Sequence, residues 1–244
     1  MKLDLKLGIE LGMDRDFEIS RKDAFWLEGF ALRQGSILSL QDKRGKWFRV
    51  RVTSMSETDL RFRVFEEMRD SVESELELIL LQAIPSRERM ELIIEKTVEL
   101  GVDLIQPVFS LRSYGFEDFP QKKWHRWQER ARKASEQSRR GIVPKVLEPV
   151  PLLEATDFVR KMELKLVFDE AEVSNTLKGF LGFQSRVRSC VLAVGPEGGW
   201  ERSEIDMLKE LGFVPVFFGR RIMRVETAAI VGVGIIEYVL GMRE

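Results

Sequence analysis

The sequence predicts an α/β protein in which a parallel sheet forms the larger part and a small β-barrel precedes it. Two observations support this prediction. Residues from about 17 to 65 form short segments in which apolar and polar side chains alternate, as they do in half-buried antiparallel strands. From about residue 76 onward, apolar runs alternate with amphipathic segments, which is typical of strands and helices in a parallel sheet.

The amino-terminal part contains three strand-like runs, SILSLQ, WFRVRVTSM and LRFRVFEE. Turn signals at 42–45 and 57–59 separate these runs. The acidic stretch 66–75 marks the junction with the part that follows. We therefore predict a first domain at residues 1–72 and a second domain at residues 73–244.

The second domain begins with the apolar run LELILLQAI and continues with the amphipathic helix RERMELIIEKTVEL, which Gly101 ends. The further predicted elements are the strand 102–110, a basic helix at 121–139, a short helix at 151–161, the strand 163–170, a helix at 174–181, the strand 189–194, a helix at 202–211, the strand 213–219 and a helix at 226–241. Ligands of such sheets bind in the loops beyond the carboxyl ends of the strands. The loops after the last two strands are therefore the candidate site.

The composition limits the chemistry. The 244 residues carry a net charge of −1, with one cysteine and one histidine. This scarcity excludes a zinc cluster of Cys and His ligands, so we expect no metal and assign the chemistry to an organic cofactor or an activated substrate. The opening MKLDLKLGIELGMDRD lacks the apolar core of a signal peptide, and no apolar run has the length that a membrane crossing needs. We expect a cytoplasmic protein with no membrane partner.

The loop GPEGGW (195–200) directly follows the apolar run 191–194. Its glycines and Pro196 indicate a place where the backbone approaches a ligand closely. A phosphate is excluded as that ligand, because the loop has no Lys or Arg and Glu197 would repel it. A neutral or cationic ligand that donates hydrogen bonds to the carboxylate fits the loop. The alternative is a tight turn that binds nothing.

The segment GRRIMRVETAAIVGVGIIEYVL (219–240) joins an arginine-rich loop to an apolar helix. Small residues interrupt the apolar run at Ala228, Ala229, Gly232 and Gly234. Each glycine costs a helix up to about 1 kcal/mol, so we expect a close approach of the helix backbone to a neighbour. The alternative is an ordinary buried helix that packs tightly.

The basic helix at 121–139 carries Trp124 and Trp127 three residues apart, which places them on one face. Such a helix usually packs its aromatic face and leaves its charges in water. RNA binding is the alternative, because clustered cations supply the sequence-independent part of nucleic-acid affinity.

Four blocks of the second domain resemble the RsmE family of SPOUT methyltransferases. They are RMELIIEKTVELGVDLIQPVFSLRS (89–113), KASEQSRRGIVPKV (133–146), LAVGPEGGWERSEI (192–205) and FGRRIMRVETAAI (218–230), in the order in which the family carries them. The resemblance implies a parallel-sheet SPOUT domain with a C-terminal trefoil knot. It also implies that the preceding domain is a PUA-like β-barrel that binds RNA.

The resemblance further implies methylation of N3 of a uridine in 16S (small-subunit) ribosomal RNA, with S-adenosyl-L-methionine as cofactor. The implied partners are small-subunit rRNA within the 30S particle and a second copy of the chain in a homodimer. Two alternatives stay open. One is a SPOUT methyltransferase that acts on another RNA, such as tRNA, and the other is an inactive RNA-binding or assembly module.

By similarity, the cofactor is held largely by backbone groups of two loops and the start of the last helix. The expected cofactor-binding residues are Ala193, Gly195, Pro196, Glu197, Gly198, Phe218, Gly219, Ile222, Met223, Arg224, Thr227 and Ala228. The expected RNA contacts are Arg112, Ser113, Lys133, Gln137, Arg139 and Arg140.

Two catalytic residues are expected. Arg224 is placed beside O2 or O4 of uracil, because a cation there stabilises the anion that forms when N3 loses its proton. Glu226 is expected to orient Arg224. The candidates for the general base are Glu136 and Glu226.

The first domain departs from the family pattern. Where the family carries a His and a basic stretch before a Gly, this chain has Phe25-Trp26, and Ala31 stands at the position of an expected arginine. The cations that could compensate in RNA binding are Arg33, Lys43, Arg44 and Lys46.

Overall fold

The computed structural model describes residues 6–113, 124–155, 159–172, 175–182 and 187–241. The chain divides into two compact units. The first comprises Met1–Glu73 and Arg132–Val143, and the second comprises Ser74–Ala131 and Pro144–Glu244. The return of residues 132–143 to the first unit is a feature that the sequence did not suggest.

The first unit contains a four-stranded antiparallel sheet in the order β1-β4-β3-β2. Its strands are β1 (Asp16–Ser20), β2 (Ile37–Gln41), β3 (Trp47–Met55) and β4 (Asp59–Met68), and a 3₁₀ helix at Arg21–Gly29 follows β1. Buried and exposed residues alternate along β4, which confirms the half-buried character predicted from the sequence. Closure of this sheet into a barrel stays a prediction.

The returning segment is fixed to the first unit by a buried ion pair. Arg140 Nη2 lies 2.6 Å from Glu73 Oε2, and both side chains are buried. Glu73 Oε1 also accepts a hydrogen bond from the Gly141 backbone N–H at 2.8 Å, and Ser39 Oγ donates to the Arg139 carbonyl at 3.0 Å. Removing one member of such a pair leaves a buried charge without its partner, which is costly. Arg140 therefore stabilises the unit.

The second unit contains a parallel sheet in the order β11-β9-β10-β5-β6-β7, with β8 also paired to β6. Its seven strands are β5 (Glu77–Ala83), β6 (Leu104–Phe109), β7 (Lys145–Val146), β8 (Val150–Pro151), β9 (Leu164–Phe168), β10 (Ser189–Val194) and β11 (Val214–Val216). Leu80 of β5, Leu166 of β9 and Leu192 of β10 are fully buried. Strands without an exposed face explain the continuous apolar runs of the sequence, and the predicted parallel α/β sheet is confirmed.

Five α-helices are described: α1 (Arg87–Glu99), α2 (Trp124–Ser138), α3 (Leu177–Leu181), α4 (Arg202–Glu210) and α5 (Val225–Ile236), the last continuing as a π turn at Glu237–Gly241. Gly101, with φ +107°, follows the end of α1 as predicted. None of the helices within the described ranges has both the length and the apolar character that a bilayer crossing requires.

The short helix predicted at 151–161 is wrong over its first part. Val150 and Pro151 pair with the end of β6 as strand β8, and the Leu152 N–H then donates to the Phe109 carbonyl at 3.1 Å. A turn continues to Ala155. Pairing with the free end of β6 overrides the local helical tendency of this segment.

Gly232 is the point at which α5 approaches the sheet most closely. A Cβ at this position would lie 2.6 Å from Phe168 Cε2 of β9 and 2.7 Å from Leu192 Cδ2 of β10. Real Cβ atoms do not pack at such distances, so only glycine fits. Gly234 differs, because a Cβ there would lie 3.6 Å from Leu100 Cδ1, which is ordinary van der Waals contact.

We predict that Gly232→Ala destabilises the protein by about 1 to 3 kcal/mol, because the added methyl group overpacks a core with no room for it. Gly234→Ala, the matched control on the same helix, should be neutral or stabilising by up to about 1 kcal/mol through its better helix propensity. Urea unfolding followed by circular dichroism measures both. Equal effects of the two substitutions would contradict the close approach at Gly232.

Candidate active site

An open pocket of about 1020 Å³ lies at the carboxyl ends of three neighbouring strands, β11, β9 and β10. Three segments that continue these strands supply most of the lining: 168–172 after β9, 194–202 after β10 and 216–225 after β11. Ala228 of α5 and two arginines from outside these loops, Arg89 and Arg112, complete it. The pocket therefore lies where the topology of a parallel sheet predicts a ligand.

Nine of the twelve residues expected to bind a cofactor line this pocket. They are Gly195, Pro196, Glu197, Phe218, Gly219, Ile222, Met223, Arg224 and Ala228. The other three do not line it. Ala193 is buried within β10, Thr227 is exposed on the first turn of α5, and the Gly198 carbonyl is bonded to Arg112. The structure thus brings together the two loops that the sequence singled out.

A third loop, residues 168–172, was missed. It lines the pocket through Phe168, Asp169, Glu170, Ala171 and Glu172. The available signal was the rule about carboxyl ends, which applies to β9 as well as to the two later strands. The order β11-β9-β10 places β9 between those strands, and sequence order alone does not show this.

Glu197 braces the loop that carries it. Its Oε1 accepts a hydrogen bond from the Ser86 N–H at 2.9 Å, at the amino-terminal end of α1, and lies 2.9 Å from Arg89 Nη1. A carboxylate is favoured at a helix amino terminus, where free N–H groups and the helix dipole present positive charge. The carboxylate that excluded a phosphate ligand is thus bound to α1.

Arg89 also contacts the last helix. Its Nε lies 3.6 Å from Glu226 Oε2, and this oxygen is buried with no other hydrogen-bond partner in the described part of the chain. One guanidinium therefore joins the loop 195–200 to the first turn of α5. Across the described ranges, no ion pair or hydrogen bond joins Glu226 to Arg224. The orienting role expected of Glu226 stays a prediction, as does its role as a base.

Helix α1, which carries Arg89, is itself held by α2. Arg130 donates to Glu91 Oε2 at 2.9 Å and to Glu95 Oε2 at 3.1 Å. The hydrogen bond from Arg130 holds the pKa of the Glu91 carboxyl below its ordinary value. Both acids therefore stay ionised near neutral pH, and the contact that fixes α1 persists there.

Arg112 holds the other side of the loop. Its Nη1 donates to the Gly198 carbonyl at 2.7 Å, and its Nε donates to Glu201 Oε1 at 2.7 Å. The Leu111 N–H donates to Glu204 Oε1 at 2.9 Å, next to this contact. Glu201 and Glu204 form the capping box that begins α4. Arg112, expected to bind RNA, is engaged with the pocket loop instead.

The remaining expected RNA contacts behave differently from one another. Arg140 is buried against Glu73, which corrects its assignment to an RNA-binding surface. Ser113 Oγ donates to the Ser110 carbonyl within its own turn. The side chains that stay exposed are Lys133, Gln137 and Arg139. The candidate base Glu136 pairs with Arg132 and does not line the pocket.

Helix α2 buries its aromatic face, as the alternative to RNA binding predicted. Trp127 is almost fully buried. Trp124 begins the helix, and its side chain lies outside the described residues. Lys133 and Gln137 are exposed farther along the helix.

The charges of the pocket are unevenly paired. Glu197 and Glu201 pair with Arg89 and Arg112. Glu170 faces the pocket without such a partner among the described residues, and its Oε1 would lie 3.8 Å from a Cβ on Gly199. A carboxylate so placed can accept hydrogen bonds from, or stabilise, a cationic ligand.

Metal and thiol chemistry have no support in this part of the molecule. No group of three or more His, Cys, Asp or Glu side chains placed to hold a metal ion occurs within the described ranges. Burial raises the pKa of the Cys190 thiol, which lies inside β10 and is inert as a nucleophile at neutral pH. The site therefore suits an organic ligand.

We predict that Arg89→Ala loosens the loop 195–200, because the guanidinium supplies the ion pair that joins the loop to α1 and α5. Backbone amides of this loop should exchange with deuterium about tenfold faster, the equivalent of about 1.4 kcal/mol of local stability. Arg87→Ala is the matched control, since Arg87 lies on the same helix and pairs with Glu91, away from the loop. Unchanged exchange in Arg89→Ala would show that the contact does not hold the loop.

The sequence matches the model of a protein family described as RNA methyltransferase domain over residues 72–237. A ribosomal RNA small subunit methyltransferase E of Mycobacterium bovis is 32% identical over 210 residues, which cover 83% of this chain and 78% of that relative.

Two solved structures are similar over nearly the whole chain. A ribosomal RNA small subunit methyltransferase E of Neisseria gonorrhoeae, bound to S-adenosyl methionine, is 32% identical, covers 97% of each chain and superimposes with a TM-score of 0.67. A methyltransferase of Legionella pneumophila, in complex with the bound cofactor SAM, is 30% identical, covers 98% of each chain and also has a TM-score of 0.67. These findings confirm the family resemblance drawn from the four sequence blocks. The chain therefore belongs to the RNA methyltransferase domain family and, within it, to the ribosomal RNA small subunit methyltransferases E.

Proposed function

We propose that this protein is an S-adenosylmethionine-dependent methyltransferase that modifies N3 of a specific uridine in 16S (small-subunit) ribosomal RNA. The observation that carries the proposal is the pocket at the carboxyl ends of β9, β10 and β11. It gathers nine residues that the family resemblance assigns to cofactor binding. Membership of the family and the relatives with bound cofactor support the same conclusion.

The pocket fits S-adenosylmethionine in shape and charge. Gly195 and Gly199 keep the wall of the loop low, since a Cβ on Gly195 would lie 3.2 Å from Trp200 Nε1 and Gly199 has a φ of +69°. Trp200 Nε1 is buried without a hydrogen-bond partner among the described groups. The carboxylate of Glu170 suits the positive charge of the cofactor. Backbone groups of 195–199 and 218–224 would hold its adenosine.

When bound, S-adenosylmethionine supplies an electrophilic methyl group. The task left to the protein is to make uracil N3 nucleophilic and to align it. Arg224, which lines the pocket at the start of α5, is the residue we assign to the charge on O2 or O4 after N3 loses its proton. Its exposed guanidinium has no acidic partner within the described ranges, so it is available to the substrate.

The partners follow from the same assignment. Small-subunit rRNA, within the 30S particle, is the proposed substrate, and the cytoplasm is the proposed location. A homodimer is supported by apolar side chains left exposed around α1 and the end of α5. They are Leu92, Leu100, Tyr238 and Val239, with Tyr238 71% exposed.

The decisive experiment incubates the purified protein with radiolabelled S-adenosylmethionine and small subunits from a strain that lacks the enzyme. We expect label in 16S rRNA, on N3 of one uridine after digestion and mass spectrometry. Label in tRNA alone would assign another RNA substrate. Cofactor binding without transfer to any RNA would identify an inactive RNA-binding module.

We predict that Arg224→Ala lowers kcat by about 10² to 10³ while the cofactor dissociation constant changes by less than about fivefold, because the cation acts on charge that develops in the reaction. Lys209→Ala is the control, since Lys209 is an exposed cation on α4 outside the pocket. Calorimetry with the cofactor and initial rates of transfer separate the two effects. Full activity in Arg224→Ala would remove this residue from the mechanism.

A further inference from the structure

The loop between β11 and α5 exposes an apolar side chain at the mouth of the pocket. Ile222 is 86% exposed, the largest exposure among the large hydrophobic residues that the structure describes. It lies in the sequence Arg220-Arg221-Ile222-Met223-Arg224, and all five of these residues line the pocket. An isoleucine kept in water at a functional site indicates a surface that a partner covers.

The arginines beside Ile222 are not used by the fold. Arg220, Arg221 and Arg224 are all exposed, and within the described residues none of them has an ion pair or a hydrogen bond from its side chain. Arginines elsewhere around the pocket differ in this respect, since Arg89 and Arg112 each hold a carboxylate. Three guanidinium groups without acidic partners form a local positive charge suited to an anionic partner.

The ends of the loop are fixed while its middle is open. Phe217 donates its N–H to the Asn175 carbonyl at 3.0 Å and accepts from the Leu177 N–H at 3.0 Å. Helix α5 begins at Val225. Between these points Gly219 has a φ of +109°, and a Cβ added to it would meet no described atom within 4 Å, so this glycine turns the chain outward.

The proposed reaction imposes a geometric demand on the RNA. N3 of uracil lies on the Watson–Crick edge, so a base pair hides it and stacking holds the base in place. Enzymes that act on such atoms take the base out of its stack, at a cost of a few kcal/mol. Proteins that unstack bases insert apolar side chains at the opened step.

We propose that the loop 219–224 is an RNA clamp that extrudes the target uridine into the pocket. Arg220 and Arg221 bind backbone phosphates on either side of the uridine, and Ile222 fills the stack that the base leaves. The inference rests on the proposed function, because it takes an N3 atom as the target. Charge complementarity between unpaired arginines and phosphate favours RNA as the partner of Ile222 over a second copy of the chain.

The test uses the full-length protein and a short RNA hairpin whose stem contains one uridine pair beside a fluorescent purine analogue. Binding is measured over a series of salt concentrations, without any methyl transfer. Arg220→Ala combined with Arg221→Ala should lower the slope of log K against log salt by about 1.4, which is about 0.7 for each lost phosphate contact. Lys178→Ala combined with Lys209→Ala, which removes two exposed cations outside the pocket, should leave the slope unchanged.

Ile222→Ala should keep the salt slope and lose most of the rise in fluorescence that reports unstacking beside the uridine. Its RNA affinity should fall by about fivefold. Ile222→Leu should restore both signals, because an apolar side chain of the same volume fills the same gap. Cofactor affinity, measured by calorimetry, should be unchanged in both Ile222 variants, which shows that the pocket remains intact.

Three results would overturn the clamp. An unchanged salt slope in the arginine double variant would show that these residues do not bind phosphate. Full unstacking by Ile222→Ala would exclude the wedge, and a shift from dimer to monomer in sedimentation equilibrium would assign Ile222 to an interface between copies. Transfer of label to 16S rRNA is measured on the wild-type protein in parallel. Its absence would contradict the proposed function, whereas normal transfer with any of these three results would contradict the clamp alone.

Discussion

Helix α5 can lie against the parallel sheet because residue 232 has no side chain. At this position the helix backbone meets Phe168 of β9 and Leu192 of β10, with no space for a methyl group. Phe168 in turn lies with its ring centroid 6.4 Å from that of Phe218, and both rings line the pocket. The close approach of one helix thus sets the position of the pocket floor and of the loop that leads into the helix. A helix with a larger residue at this point would move both.

The second constraint is electrostatic. The glycine-rich loop 195–200 lacks side chains that could pack it, so its shape depends on polar contacts from outside. Glu197 is held by Arg89 and by the amino terminus of α1, and the Gly198 carbonyl is held by Arg112. Charge is therefore used in two ways around one pocket. Arginines with acidic partners maintain the wall, and arginines without them are left for the substrate.

Much of the fold followed from the sequence, because burial on one face or on two leaves different patterns in β4 and β10. The two pocket loops followed from the positions of GPEGGW and GRRIMRVET after apolar runs. The loop 168–172 did not, because strand order in the sheet depends on pairing between distant segments. Nor could the sequence distinguish a buried cation from an available one. Arg140 and Arg220 both stand in basic stretches, yet only the folded chain shows that Arg140 is paired with Glu73.

The bond between the Ser86 N–H and Glu197 spans 111 positions of the chain. Contacts of such long range form slowly, since much of the chain must be ordered before they contribute. Strand β5 also waits for β10, its neighbour in the sheet, which is made more than a hundred residues later. During synthesis, then, the first unit and α1 emerge well before the segments that close the pocket. The binding site should be the last part of the molecule to mature, and an incomplete chain should have no means of holding its cofactor.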